Sequence, residues 1–542
     1  MRCLAVTALA FLCCAAFGQS RIAVLPLDSR PPTAQMPALL GRIAGVEVQT
    51  PDLSILGEFT KPGDADRVRE WIRSVAASEV EALVLSADMI AYGGLIASRE
   101  PSTPASVAIE RLQVLRQIRK AKPDLPIYVY SALMRVAPTA TDENEPWRMD
   151  LARLVELEER YQRTGAKPSA EYHELKKRVP KTRLEEYWKA RRRNLEVQKE
   201  LIRMVRDGVI TYLVIGSDDT RRYGPQYPER LELQKTAESL GILGRVFLCE
   251  GIDQVANLLI SRAVLFKENY RPIVRIVLAD EAAATKPAAY ESQPLLTAIK
   301  AQILASGAFV VDKEEQADYV LFVNTERSST YDISALLNGI LSVQDGRPYA
   351  AVADINFDSL GSPDERFSRA LLDSGLFPEL LSYASWNTAS NTIGTAVAQA
   401  NLYLVAIRRE VPVLEREVAQ QTFLLHRLIS DYGYHSYLRP RANRALDQAP
   451  DSTPLEARGY VLRVMQEWVD RNAGGLLQRY FEDFFKGREI RDGDRVYVLS
   501  DLANVRVRLP WPRAFEAWFD FQLVVKPKSP SEEPPVYNVS RL

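Results

Sequence analysis

The chain has 542 residues, 46% of them hydrophobic and 26% charged, an ordinary globular balance with room for two or more domains. Its 69 Lys and Arg offset 70 Asp and Glu to a net charge of −1. That excludes both an acidic tail and the strongly basic footprint of a nucleic-acid binder, so no nucleic-acid partner is expected.

The chain opens with Met1-Arg2, an apolar run from Leu4 to Phe17 broken only by Thr7, and then Gly18-Gln19-Ser20. A basic start, a short apolar core and small residues before a cut are the anatomy of a secretory signal peptide. A leader over residues 1–18 is therefore predicted, with the mature chain exported to the periplasm or beyond. The alternative, an uncleaved anchor, is disfavoured because the run is short for a membrane span. No other stretch is long and apolar enough, so no transmembrane segment is expected in the mature chain. Cys3, Cys13 and Cys14 fall within the leader. Cys249 alone remains, in the apolar run Val246-Phe247-Leu248-Cys249; it reads as core, and no internal disulfide can form.

After the leader, residues 19–141 alternate strand and helix. Ile22-Ala23-Val24-Leu25 reads as a strand ended by Pro26-Leu27-Asp28-Ser29-Arg30-Pro31-Pro32. Strands follow at Val46-Glu47-Val48, Glu81 to Leu85 and Ile127 to Tyr130, separated by helices near Ala34 to Ile43, Asp64 to Ala76 and Ala105 to Ala121. Residues 142–207 are heavily charged with helical spacing and read as a helical insertion. It either caps a site or forms a solvated hairpin. Alternation resumes over 208–361, a continuation of the first lobe or a second one. The predicted strands there are Val209 to Ile215, Arg245 to Leu248, Ile273 to Leu278, Phe309 to Val311, Tyr319 to Val323 and, last of the series, Tyr349 to Ala353. Residues 362–525 read as mainly helical, with a small antiparallel sheet from Val496 to Leu499, Val505 to Leu509 and Trp518 to Val525. Residues 526–542 are rich in Pro, Ser and Glu, the composition of a disordered tail.

Alternating β and α elements imply parallel sheets with helices on both faces. Two architectures fit: Rossmann-like doubly wound lobes, or a closed βα barrel. The open sheets are favoured because Phe309-Val311 and Tyr319-Val323 leave no room for a full crossover helix between them. The segments from Ile22 and from Ile273 both begin strand, acid, helix, strand, a similarity that falls short of a repeat.

The stretch Ser86 to Arg99 organises this reading: Asp88 just past a buried strand, then Tyr92, Gly93-Gly94 and Arg99. Ligands of parallel sheets bind outside the carboxyl ends of strands, and the glycine pair allows a close backbone approach. Acids recur at such ends: Asp28, Asp88, Asp218, Asp219, Asp280 and Asp354. Each also suits the cap of a following helix. Asp88, with its glycine pair, and the like-charged pair Asp218-Asp219 suit that role least.

Several of these pieces, taken together, resemble a bacterial family known as domain of unknown function 4127. The matching motifs are Leu25-Pro26-Leu27-Asp28-Ser29-Arg30-Pro31, Ser86-Ala87-Asp88-Met89 through Arg99, and Gly216-Ser217-Asp218-Asp219. Further on come Trp386-Asn387-Thr388 with Asn391-Thr392, Asp431-Tyr432-Gly433-Tyr434, and Leu509-Pro510-Trp511-Pro512-Arg513-Ala514-Phe515-Glu516. The resemblance covers nearly all of the mature chain and assigns no reaction. One departure is Asp354-Ile355-Asn356-Phe357-Asp358, where a glycine-containing acid motif is expected.

Clustered carboxylates serve two chemistries: paired acid and base or nucleophile in glycoside hydrolysis, and oxygen ligation of a divalent cation. The three histidines, His173, His426 and His435, read as surface or packing residues, so a zinc site is not expected. The chain contains no Gly-x-Ser-x-Gly elbow, dinucleotide fingerprint or phosphate loop. The expected function is therefore an exported hydrolase of a carbohydrate or cell-wall glycan. Asp88 and Asp218 or Asp219 are its catalytic pair, with Asp28 as orienter or third acid. Arg30, Tyr92, Gly93, Gly94, Arg99, Trp386, Asn387 and Asn391 are the candidate ligand contacts, Trp386 as a stacking face and the asparagines as amide donors. The expected cofactor is none or a divalent cation. The alternatives are a metal-dependent hydrolase and a non-catalytic glycan- or solute-binding protein. Export predicts a mature N-terminus near Gln19; N-terminal sequencing that returned an intact leader on the native protein would overturn it.

Overall fold

A computed structural model describes residues 20–325, 333–343, 348–359 and 361–528. The leader, with Cys3, Cys13 and Cys14, lies outside the described residues, as do residues 529–542 of the expected tail. Lys526 and Pro527, assigned to that tail from composition, instead end the last strand.

Six parallel strands make the first sheet: β1 (Ser20–Leu25), β2 (Val46–Gln49), β3 (Ala82–Ser86), β4 (Ile127–Leu133), β5 (Tyr212–Ser217) and β6 (Val246–Glu250). Their order is β2-β1-β3-β4-β5-β6. β3, β4 and β5 are buried along their whole length, the condition of parallel strands covered by helices on both faces. A second parallel sheet contains β7 (Ile273–Leu278), β8 (Phe309–Val311), β9 (Tyr319–Asn324), β10 (Tyr349–Asp354) and β11 (Ser382–Ala384), ordered β11-β10-β9-β7-β8. Counted from β7, this is the order 2-1-3-4-5, which the first five strands of the first sheet also follow. Both sheets are thus open and doubly wound, and the barrel alternative falls.

The link from β8 to β9 is a single short 3-10 turn, Glu314–Gln316, yet β9 lies on the far side of β7. β11 was not expected from sequence. With three residues it is too short to give a periodic signal, and only its pairing with β10 defines it.

A third, antiparallel sheet closes the chain: β12 (Glu489–Asp492), β13 (Arg495–Arg508) and β14 (Trp518–Pro527). The two short strands expected over Val496–Leu499 and Val505–Leu509 are one strand, β13. Its ladder slips between Leu499 and Asp501 and again between Ala503 and Arg506. Asn504 takes φ 55° there, a bulge that breaks the alternation seen in sequence.

The charged segment folds as helices Glu145–Thr164, Ala170–Arg178 and Lys181–Arg206. The last belongs to the first lobe's core, where Val197, Leu201 and Ile202 join Leu85, Val129 and Leu213. Its buried Arg191 forms a two-pronged pair with Glu229 at 2.7 and 2.6 Å.

The two sheets share one core. Helices Val255–Lys267 and Ala389–Arg408 lie between them, and their apolar side chains cluster with Ile22, Val24 and Tyr130 on one side and Tyr319, Leu321 and Val323 on the other. The second of these helices is buried on every face over most of its length, the pattern of a helix enclosed by protein. Its Asn401 bonds Ser261, Ser306 and Tyr319 at 2.9–3.1 Å, tying both lobes to it. Cys249 is buried core, as expected. No helix among the described residues is long and apolar enough to cross a membrane.

Gly216, near the end of β5, faces Gly251 across to β6. A Cβ on Gly216 would meet Gly251 O at 2.3 Å and Ile252 Cδ1 at 2.9 Å. Gly216→Ala is expected to destabilise by about 1–3 kcal/mol through overpacking against backbone that cannot yield. Thermal melting checks this.

Candidate functional site

The carboxyl edge of the first sheet carries a buried network of four aspartates and three arginines. Asp28, three residues past β1, accepts from the Arg30 amide at 3.0 Å and from Thr33 Oγ1 at 2.9 Å through Oδ1. Its Oδ2 accepts from Arg30 Nε at 2.9 Å and Nη2 at 2.7 Å. The same guanidinium reaches Asp253, past β6, with Nη2 at 2.7 Å and Nη1 at 3.2 Å. Arg99 donates to Asp218 Oδ2 at 2.6 Å and to Thr139 at 2.6 Å. Arg135, just past β4, pairs with Asp219. Every carboxylate in the network therefore has a guanidinium, which is what permits so much charge to be buried together.

The balance differs from acid to acid. Burial pushes Asp218 up, but Arg99 and Arg135 outweigh it and hold its carboxyl below the ordinary value. Asp219 is raised, because burial and the neighbouring Asp218 together exceed the pull of Arg135. Burial lifts Asp253 to about 6 despite Arg30, with repulsion from Asp28 adding to it.

Asp28, Asp218, Asp219, Arg30 and Arg99 thus meet at one edge. Asp88 stands apart from the guanidiniums of that edge. It lies in the first turn of the short helix Ala87–Tyr92, 1% exposed, and accepts from the Ala132 amide of β4 at 2.8 Å. Burial raises it to about 7. Its visible work is to strap this helix to the neighbouring strand. Tyr92 is buried under the Arg193 guanidinium, 4.2 Å from the ring centre. Gly93 and Gly94 take φ 91° and 120°, and a Cβ on Gly93 would strike Gly63 O at 2.7 Å. The close approach inferred for this pair is therefore made by the loop around Gly63, whose amide donates to Gly93 O.

A small cleft opens beside the network. Arg30 and Asp253 form its wall on the first lobe, and Trp386 and Asn387, past β11, its wall on the second. Arg427, Asp431 and His435 come from the C-terminal helices, and Phe515 and Glu516 from the loop before β14. Trp386 is 5% exposed and its indole N–H donates to Thr395 at 3.2 Å, so little of the ring is open to a ligand. Asn387 holds φ 61° and turns the chain into the following helix. Asn391 sits one helical turn deeper, against Gly251.

The motif Asp431-Tyr432-Gly433-Tyr434 is helical, although its glycine between two tyrosines suits a turn. Helix Val413–Arg427 continues as a π-helix over Leu428–Leu438. Such segments are rare and concentrate at functional sites. Asp431 accepts from Arg427 Nη1 at 2.9 Å and from the Ser385 amide at 2.9 Å; burial raises it to about 6. Arg427 Nη2 contacts His426 Nδ1 at 2.7 Å, and His426 Nε2 contacts Gln35 at 3.1 Å. Burial and the adjacent Arg427 depress His426 far below its usual range. His435 is likewise neutral through burial and Arg439.

Sequence reasoning missed Asp253, Arg135, Arg427 and Glu516. Asp253 follows the strand-end rule, three residues past β6, but it also precedes a helix, where an acid is an ordinary feature. The others gain their meaning only from partners distant in sequence. Among the described residues no group of three or more His, Cys, Asp or Glu is placed to hold a metal ion.

Asp88 gives a test of sign. Its folded value near 7 exceeds the unfolded value near 4, so its contribution is lost as pH rises through 7. Asp88→Asn keeps an acceptor for Ala132 without the charge. Its melting temperature relative to wild type is expected to rise from pH 5 to pH 9, by an amount equivalent to about 1–4 kcal/mol.

A family model described as "Protein of unknown function (DUF4127)" matches residues 22–520. Comparison with curated proteins returns no match. Among solved structures, the carboxyl transferase domain of Rhizobium etli pyruvate carboxylase with 3-bromopyruvate aligns at 11% identity, covering 94% of this chain and 88% of that one. Its TM-score of 0.17 carries no argument about fold or chemistry. With 499 residues matched (22 through 520, inclusive), nearly the whole chain, this protein belongs to the DUF4127 family.

Proposed function

We propose that the chain is an exported hydrolase of a carbohydrate or cell-wall glycan, working in the cleft between the lobes. The observation that carries this reading is a pair of carboxylates lining one cleft from different parts of the chain. Asp253 comes from the first sheet's edge and Asp431 from the π-helix. Burial brings both to about 6, where one can be protonated while the other is ionised, as acid–base catalysis requires. Arg30 and Arg427, which line the same cleft, are their ion-pair partners.

Asp28, Asp218 and Asp219 then act at one remove, by fixing Arg30, Arg99 and Arg135. Trp386 and Phe515 supply apolar edges, and Asn387 a polar group, for a polyhydroxylated ring. A divalent cation at the network would first have to displace a guanidinium, which favours the metal-free reading over the metal-dependent one. Export rests on the composition of the leader.

Purified protein is expected to release reducing ends from a glycan panel with a rate maximum near pH 6. Asp253→Asn and Asp431→Asn should each lower turnover by about 10²–10⁴-fold. Wild-type turnover in both variants would remove the pair from the mechanism, and binding without turnover would leave a glycan-binding protein.

A further inference from the structure

Two histidines of the C-terminal helices are held in the same way, and they differ in one atom. His426 and His435 are 1% and 7% exposed. Each has an arginine at Nδ1: Arg427 Nη2 at 2.7 Å for His426, and Arg439 Nη1 at 3.3 Å for His435. A guanidinium only donates, so each Nδ1 accepts and the ring hydrogen stays on Nε2. In His426 that N–H is used inside the protein. It meets Gln35 Oε1 at 3.1 Å, and Gln35 is oriented for it by donating its own Nε2 to Phe519 O. His435 lines the cleft. Its Nε2 has no partner among the described residues, and it is not one of the partnerless atoms closed off from solvent.

The ring is held in place. Ser362 Oγ donates to His435 O at 3.2 Å, and the ring packs against Tyr434 and Phe515 at 6.0 and 6.2 Å between centres. The charged groups around it are Arg427, Asp431 and Arg439 on its own helical run, with Asp358 near Arg439. Glu516 with its partner Arg513 comes from the loop before β14, and Arg30 and Asp253 from the first-lobe wall. Burial, then Arg439, then Arg427 hold the imidazole well below its usual range. Asp253 and Asp431 titrate near 6, where an ordinary histidine would titrate with them. His435 keeps one donor and no charge on either side of that pH. An N–H without a partner costs stability until an acceptor arrives.

We propose that His435 is the cleft's neutral hydrogen-bond donor, fixed as the Nε2–H tautomer by Arg439, and that it donates to an uncharged oxygen of a bound sugar, a hydroxyl or an acetamido carbonyl. The assignment rests on the glycan reading of the cleft and adds a substrate contact to it. His435 moves no proton; it orients the sugar on which Asp253 and Asp431 act.

The test is nitrogen-15 spectroscopy of the imidazole rings, of which the chain has three. His435 is identified by the signals lost in His435→Gln. From pH 5 to pH 8 it is expected to show a protonated Nε2 and a bare Nδ1. An imidazolium or an Nδ1–H form in that range would overturn the assignment. Arg439→Met should let the ring titrate or change tautomer, and unchanged signals there would remove Arg439 from it. Titration with oligomers of glucose and of N-acetylglucosamine should shift the Nε2–H signal. A shift with both marks a hydroxyl, a shift with the second alone marks the acetamido carbonyl, and no shift with either overturns the contact. His435→Phe keeps a ring without the donor and should weaken binding of the shifting oligomer about 2–10-fold, the worth of one neutral hydrogen bond. His435→Gln restores an N–H and should recover most of that loss; equal loss in both variants is the result of a structural role and would sink the proposal. Cleavage measured on the same samples separates the two claims. A shift without cleavage keeps the His435 contact and removes the hydrolase, whereas cleavage of an oligomer that leaves the signal unmoved does the reverse.

Discussion

One guanidinium holds the candidate site together. Arg30 is enclosed by protein, and it spans Asp28 on its own loop and Asp253 on the loop after β6. Removing such a cation would leave two buried carboxylates uncompensated, at a cost of about 3–5 kcal/mol. Trp511 covers the other side, with the guanidinium carbon 5.2 Å from its ring centre. The indole N–H donates to Ser29 at 2.9 Å, and Ser29 donates to Gly57 O at 2.8 Å. The first strand, the sixth strand and the C-terminal Pro-Trp-Pro-Arg segment are therefore coupled through one side chain. Arg99 and Arg135 repeat the device for Asp218 and Asp219 along the same edge.

That edge faces a second lobe wound in the same order. In a sheet of order 2-1-3-4-5, the loops after the first and third strands diverge and leave a crevice. The first lobe fills its crevice with Asp28, Arg30 and the helix bearing Asp88. In the second lobe the equivalent strands end in Leu278 and Asn324, and Asn324 bonds Asp354 at 2.8 Å. Asp354, fully buried, is raised to about 8 by burial and Asp364. Its oxygens accept from Asn324, Asn356 and the Asp364 amide. The loop that departs from the family pattern is thus a hydrogen-bonded corner. The cleft instead draws on β11, whose following residues Trp386 and Asn387 reach the first lobe.

The C-terminal region supplies the remaining wall. Asp431 meets Arg427 at the i,i+4 spacing of the helix, and within the π-helix Tyr434 donates to Ala514 O at 3.0 Å. That contact seats the loop carrying Phe515 and Glu516 over the cleft. The helical region and the terminal sheet therefore belong to the site as much as to the fold.

Composition and period alone determined the open α/β architecture, the positions of most strands and the presence of acids at their carboxyl ends. Those features are local: an apolar run of strand length, a proline or glycine that ends it, a charged residue just beyond. They also placed Asp28, Asp218, Asp219, Arg30 and Arg99 among the candidates, and the structure brings these five to one edge. Tertiary structure alone decided which acid meets which arginine, since Arg30 and Asp253 stand 223 residues apart in the chain. It also decided that Asp88 straps a helix to β4, that Gly93-Gly94 admits a neighbouring loop, and that a motif with turn-like residues stays helical. In each case the deciding term is a hydrogen bond or close packing between segments that only folding brings together, and such terms leave no periodic trace in the sequence.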